Sequence, residues 1–248
     1  MTTAVAEEVI PPLQRNERQR KILPQVELDR TRCTVIGCGA VGYNVNKMLA
    51  AMGVGSLVLF DHDTVSIENM SSQGWLESQM GLPKVQAAAK FCHLINSHYG
   101  EIPPMKYKAD NILSIPERFG NHSPREIKLG QDPMILDVVF LCVDNIRTRE
   151  LIFNSIKDKN VSLIVDGRMS LSSIQVYSSN KPEEREYYST TFFPESEAHE
   201  TGCTVQSTLH VASICAALMV ESYSRFIQGH PQIRCVGIDT LSMDMTWG

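Results

Sequence analysis

Val35-Ile36-Gly37-Cys38-Gly39-Ala40-Val41-Gly42 sets three glycines in the spacing G-x-G-x-x-G, directly after an apolar run and ahead of a helical one. At such a turn the backbone amides and the positive end of a helix dipole can receive phosphate oxygens. A tight turn accounts for any one of Gly37, Gly39 and Gly42, but poorly for all three. Asp61 ends the next apolar run, at the separation where an acid hydrogen-bonds a ribose hydroxyl in dinucleotide folds. Ribose binding is favoured there over a helix cap; for Asp63 both roles stay open. Lys84, in Gly81-Leu82-Pro83-Lys84, starts a helix, where a cation opposes the dipole unless an anion lies opposite. The placement points to phosphate, the plainer alternative being a solvated surface lysine. Asp144 and Asn145 follow a buried strand and so emerge at the carboxyl edge of a sheet, where ligands bind. A carboxylate facing a triphosphate suits magnesium, which prefers hard oxygen ligands shared with phosphates. A helix cap at Asp144-Asn145 is compatible with that role.

The elements needed to position these residues follow from periodicity. Residues 1 to about 30 are polar, with Pro11-Pro12 and clustered charges, and read as an arm; residues 31–248 read as one domain. Cys33 to Ile36, Ser56 to Phe60, Met105 to Ala109, Val138 to Val143 and Val161 to Asp166 are predicted strands. Val41 to Met52, Lys84 to Asn96 and Ile146 to Lys157 are predicted helices between them. Strands separated by helices of this length imply an α/β, Rossmann-like, doubly wound and mostly parallel sheet with helices on both faces. Residues 120–133 are rich in turn formers and read as an exposed loop. Past Ser170 an extra region is expected. It comprises a strand at Ile174 to Tyr177, a crossover-type loop at 180–203, a long helix at Val205 to Ile227, and a last strand near Ile233 to Ile238.

Bulk properties narrow the function. The 248 residues carry 23 basic and 28 acidic side chains, a formal charge of −5, which argues against direct nucleic-acid binding. The first thirty residues lack the apolar core of a signal peptide, and the run around Val211 to Val220 is too short to span a bilayer. A cytoplasmic location with no membrane contact is the expectation. The 7 cysteines are scattered without a Cys-x-x-Cys, so reduced thiols and no structural zinc are expected.

Taken together, Gly37-x-Gly39-x-x-Gly42, Asp61-x-Asp63-x-Val65, Asn69, Gln73, Gly81-x-x-Lys84 and Val143-Asp144-Asn145 resemble the ordered motif set of the ThiF/MoeB/HesA adenylyltransferases, bacterial relatives of ubiquitin-activating enzymes. The resemblance runs from about Arg15 to Gln228. It implies that ATP adenylates a C-terminal carboxylate, typically the glycine end of a ubiquitin-like or sulfur-carrier protein, or of a peptide, with release of pyrophosphate. It further implies that the backbone of Gly37 to Gly42 holds the nucleotide, with Asn69, Gln73 and Asn145 beside it. Asp61 would hold ribose, Lys84 would steady phosphates, and Asp144 would hold magnesium. A homodimer is implied as well.

Two departures stand out. Relatives carry Asn-x-x-Arg-Gln where this chain has Asn69-Met70-Ser71-Ser72-Gln73. Arg147, Arg149 or Arg168 could supply the missing charge in cis. Alternatively Arg18 or Arg15, in an Arg-x-x-Arg-Gln opening, could supply it from a second subunit. The family's zinc cysteine pairs are also missing. Cys203, just before the long helix, stands where some relatives place a reactive cysteine; a thiolate at a helix start is favoured electrostatically, and an inert cysteine is the equal alternative. A non-catalytic scaffold and a nicotinamide-dependent oxidoreductase remain competing readings. The latter leaves Lys84 and Asp144 without a role.

Overall fold

The computed structural model describes residues 15–96, 112–194 and 208–248. In chain order these form α1 (Gln25–Arg30), β1 (Thr31–Ile36), α2 (Ala40–Met52), β2 (Ser56–Phe60), the short α3 (Met70–Gln73), α4 (Lys84–Ile95), β3 (Ile112–Ile115) and the short α5 (Ser123–Glu126). There follow β4 (Leu136–Leu141), α6 (Ile146–Ile156), β5 (Leu163–Ser170), β6 (Ser173–Ser179), α7 (Pro182–Ser189), α8 (Leu209–Ile227), β7 (Cys235–Asp239) and β8 (Asp244–Trp247). All strands join one sheet in the order β3-β2-β1-β4-β5-β6-β7-β8. From β3 to β5 the neighbours are parallel, and from β5 to β8 they are antiparallel. The mostly parallel, doubly wound α/β reading and its added C-terminal region therefore stand.

Alternation along the central strands divides the core into two. Cys33, Val35, Leu57, Leu59, Val138, Phe140, Leu163 and Val165 pack with α2, α4 and α8 on one face. Ile36, Val58, Phe60, Val139, Leu141 and Ile164 pack with α6 and with Ile127, Leu129 and Tyr188 on the other. Period-two side chains that are apolar on both faces are what a parallel sheet covered on both sides requires. β1 leads outward to β2 and β3, and the chain then returns to β4 on the opposite side of β1. The carboxyl ends of β1 and β4 thus flank the crevice at which strand order reverses, the usual ligand position in such sheets.

Several expectations are revised. Residues 120–133 are not simply an exposed loop: Pro124 lies in the first turn of α5, and Ile127 and Leu129 are buried under the sheet. The expected strand at Met105 to Ala109 lies outside the described residues, and the strand beside β2 is β3. Residues 180–189 include the helix α7. The strand expected to run to Val143 ends at Leu141, which frees Cys142 to Asn145 as a turn. β8 was not anticipated: all four of its residues are exposed, so it pairs through backbone bonds without a buried side-chain pattern. Among the described residues, no helix is long and apolar enough to cross a membrane.

The segment before β1 packs onto the domain. Leu23 and Leu28 are buried, the Arg15 guanidinium donates to the Ile95 carbonyl at 2.5 Å, and the Gln19 amide donates to the Met52 carbonyl at 2.6 Å. Leu28→Ala should therefore lower unfolding free energy by about 2–5 kcal/mol in urea denaturation. A loss under about 1 kcal/mol would show that this segment lies outside the cooperative unit.

Candidate active site

The glycine turn is shaped by contact with the turn after β4. Gly37 has φ +93°, and a Cβ there would lie 2.6 Å from the Cys142 carbonyl oxygen. A Cβ on Gly42 would lie 1.8 Å from the Gly37 carbonyl oxygen, so α2 closes directly onto the turn. At Gly39 an added Cβ would meet nothing within 4 Å, which leaves open space in front of the start of α2. Gly39 is the N-cap and provides no side-chain acceptor. First-turn amides of a 13-residue helix therefore face that space, as an anion site requires.

Asp61 braces this turn. Its Oδ2 accepts from the Cys38 amide at 2.6 Å, its Oδ1 accepts from the Asp63 amide at 2.8 Å, and the residue is buried. An ionised carboxylate has more lone-pair sites than these two bonds use, so a hydroxyl can still be accepted. Cys38 lies in the same turn, where burial, reinforced by the Asp61 charge, raises its thiol well above the usual range and disfavours the thiolate.

Lys84 is 5 % exposed, which rules out the solvated-surface alternative. Its Nζ lies 2.9 Å from Asp63 Oδ2, while its amide donates to the Asp63 carbonyl at 2.9 Å. Asp63 is thus the anion opposing the lysine at the α4 start, and its carboxylate caps no helix. Partial burial pushes the Asp63 carboxyl up, but the Lys84 hydrogen bond and charge, with His62 and Arg118, hold it below its ordinary value. Arg118, beyond β3 and at the same sheet edge, was missed in the sequence because no spacing connects it to Asp63. Asp61, His62 and Asp63 offer ligand atoms within 4.8 Å of one another, but the ammonium on Asp63 already supplies a cation there.

Asn69 and Gln73 are held locally. The Asn69 side-chain Oδ1 accepts from the Ser66 amide at 3.3 Å, and the Gln73 Oε1 accepts from the Trp75 indole at 2.8 Å. Trp75 stacks on Tyr43 of α2 at a centroid distance of 4.0 Å, which fixes this segment against the glycine helix.

Across the crevice, the Asn145 side-chain Oδ1 accepts from the Thr148 amide at 2.9 Å and caps α6. Asp144 is exposed, and among the described residues no ion pair or hydrogen bond engages its carboxylate. A free hard-oxygen donor beside an anion-binding turn fits a magnesium ion shared with phosphates.

Of the arginines considered for the Ser72 position, Arg149 and Arg168 both bind buried Asp166, and Arg15 is tied to the end of α4. Arg147 and Arg18 are exposed. Arg18 lies by the C-terminal ends of α2 and α4, at the edge of the sheet opposite its own glycine turn. Cys203 lies outside the described residues. The six described cysteines are all free.

A Rossmann-like turn, an acid after β2, a buried lysine and a free carboxylate after β4 make up an α/β domain whose groups are suited to a polyphosphate. The chain belongs to the ThiF family, whose pattern matches residues 13–247. It is similar to ubiquitin-like modifier-activating enzyme 5 of Drosophila grimshawi, 32 % identical over 133 residues, or 54 % of this chain and 32 % of the relative. The corresponding enzyme of Aedes aegypti is 33 % identical over 136 residues, again 54 % and 32 %. The chain thus spans about a third of the length of these curated relatives. Among solved structures, PaaA superposes with TM-score 0.69 at 17 % identity, covering 100 % of this chain and 77 % of that one. E. coli MccB with ATP gives 0.66 at 16 %, covering 96 % and 73 %, and E. coli tRNA N6-threonylcarbamoyladenosine dehydratase, TcdA, gives 0.65 at 17 %, covering 90 % and 98 %. At these identities the structures share the fold.

The depressed Asp63 carboxyl has a consequence for stability. A group whose folded pKa lies below its unfolded value of about 3.9 contributes fully above that value and loses the contribution as pH falls through the folded one. The urea midpoint should therefore be higher in the unsubstituted chain than in Asp63→Asn at about pH 6, and the gap should close toward about pH 3. A gap of constant size across that range would contradict the Lys84–Asp63 pairing.

Proposed function

We propose that this domain adenylates a carboxylate. The reading is supported by the contacts around Gly39: Asp61 ties its turn to the strand end where buried Lys84 meets Asp63, and Gly37 packs on the Cys142 turn that leads to unengaged Asp144. A carboxylate has no good leaving group of its own. Its oxygen attacks the α-phosphorus of ATP, the bond from that phosphorus to the bridging oxygen breaks, and pyrophosphate leaves with the electron pair. In this reading the amides of Gly37 to Gly42 hold phosphate, Asp61 holds ribose, and Asn69 and Gln73 keep their segment against α2. Lys84, handed over from Asp63 to the phosphates, neutralises charge as it develops. Asp144, steadied by Asn145, would hold magnesium, which supplies further neutralisation of the polyphosphate when bound.

The substrate we favour is the C-terminal carboxylate of a ubiquitin-like or sulfur-carrier protein, or of a peptide. Support comes from the relatives' name, ubiquitin-like modifier-activating enzyme, and from the fold shared with MccB, whose structures include one with MccA. The formal charge of −5 argues against a carboxylate carried on tRNA. Cys203, outside the described residues, is the candidate to take up the activated acyl group.

Ser72 leaves a positive charge to be found elsewhere. The length of α2, about 20 Å for a helix of this size, separates the Met52 end beside Arg18 from the glycine turn, which favours a role for Arg18 at a second subunit's site over its own. This supports a homodimer that exchanges Arg18. ATP–pyrophosphate exchange should fall on the order of 10²–10³-fold in Lys84→Ala and in Asp144→Asn. Undiminished exchange in both would reject the reading.

Arg18→Ala should also lose exchange. Mixing it equally with Lys84→Ala should restore about a quarter of full activity, because half the dimers then carry one complete site. Full activity of Arg18→Ala alone, or no restoration on mixing, would remove the arginine exchange.

A further inference from the structure

Asp144 owes its position to main chain rather than to contacts of its own. Cys142 donates its amide to the Ile36 carbonyl at 2.8 Å, which ties the start of the turn to β1. Asn145 caps α6 from the other end, and its carbonyl accepts from the Arg149 amide at 3.1 Å. Between these points the carbonyl of Val143, adjacent to Asp144, accepts from the Arg149 guanidinium.

The same guanidinium donates to Asp166, whose partner across the sheet is Leu141, the last residue of β4. Asp166 is 1 % exposed and also accepts from Arg168 Nε at 2.7 Å and from the Tyr188 hydroxyl at 3.0 Å. Arg168 directs its remaining donors to Thr191, at 3.0 and 2.9 Å, on the segment leading out of α7. A buried and a partly buried arginine on one buried carboxylate are a poor device for stability alone, because desolvation offsets much of the attraction. A planar guanidinium with several fixed donors is, however, well suited to hold a carbonyl at a set distance from a strand.

We propose that Arg149 is a positioning residue for Asp144, fixing the Val143 carbonyl against Asp166 so that the free carboxylate is aimed at the metal that accompanies the nucleotide. This rests on the assignment of Asp144 as the magnesium carboxylate. Arg149 was one of the arginines that could supply in cis the charge missing at Ser72; its engagement by Val143 and Asp166 gives it a different task.

The test measures binding of a non-hydrolysable ATP analogue by calorimetry, with and without Mg²⁺, alongside the melting temperature. Arg149→Lys keeps the charge, but a lysine cannot serve Asp166 and the Val143 carbonyl in the same fixed geometry. The affinity gained from Mg²⁺ should drop about 10–100-fold, while Mg²⁺-free affinity stays within about twofold. Tyr188→Phe removes one bond to Asp166 without touching Val143; it should lower the melting temperature and leave the Mg²⁺ gain intact. An unchanged Mg²⁺ gain in Arg149→Lys, whatever its melting temperature, would overturn the proposal. If that variant does not fold, Arg149→Gln, with Asp166 still paired to Arg168, decides by the same criterion. No Mg²⁺ gain in the unsubstituted chain would also overturn it; Asp144→Asn would then bind like the parent, marking the failure as that of the Asp144 assignment.

Discussion

The contact on which the site depends is the one between Gly37 and the Cys142 carbonyl. With a Cβ excluded at 2.6 Å and a left-handed φ of +93°, the turn after β1 settles directly on the turn after β4. Any larger residue would push the two apart at the point where strand order reverses. Because they touch, the start of α2 and the turn that carries Asp144 border one crevice. The glycine motif therefore does two things: Gly37 and Gly42 bring main chain to main chain, and Gly39 leaves room in front of the helix for a ligand.

Around that contact the charges fall into two groups with different freedoms. On the β2 side, Lys84 is buried but its partner Asp63 is half exposed, so the ammonium can exchange one anion for another with little desolvation. On the β4 side, Asp166 and Arg149 are nearly inaccessible and have no such exchange open to them. One pair is suited to handing a cation to a phosphate, and the other to holding a backbone turn still. The difference lies in the partners, half-exposed Asp63 against buried Asp166, and it leaves only the first pair able to open.

Much of the architecture was legible because parallel strands buried on both faces read as short apolar runs, and because amphipathic helices separate them. The order Gly37, Asp61, Lys84, Asp144 could be read as a site because each residue ends or begins an element, so topology alone carries it to the carboxyl edge. The pairing of Lys84 with Asp63 and the cluster of Arg149, Arg168 and Tyr188 on Asp166 could not be read in this way. They join side chains on different strand ends, and their charges look the same in sequence as solvated ones. β8 escaped notice for the opposite reason, having no buried side chain to leave a pattern. Ile127 and Leu129 were hidden among turn formers, though two apolar residues within a polar stretch are the signal by which such a buried turn can be found.

The most direct measurement of the central claim is a crystal structure of the chain with a non-hydrolysable ATP analogue and Mg²⁺. The account predicts the triphosphate over Gly39, with Lys84 Nζ at about 3 Å from a phosphate oxygen and the Asp144 carboxylate at about 2.1 Å from the metal. A polyphosphate seated elsewhere, or Lys84 still on Asp63 with Asp144 turned to solvent while the nucleotide is bound, would contradict it.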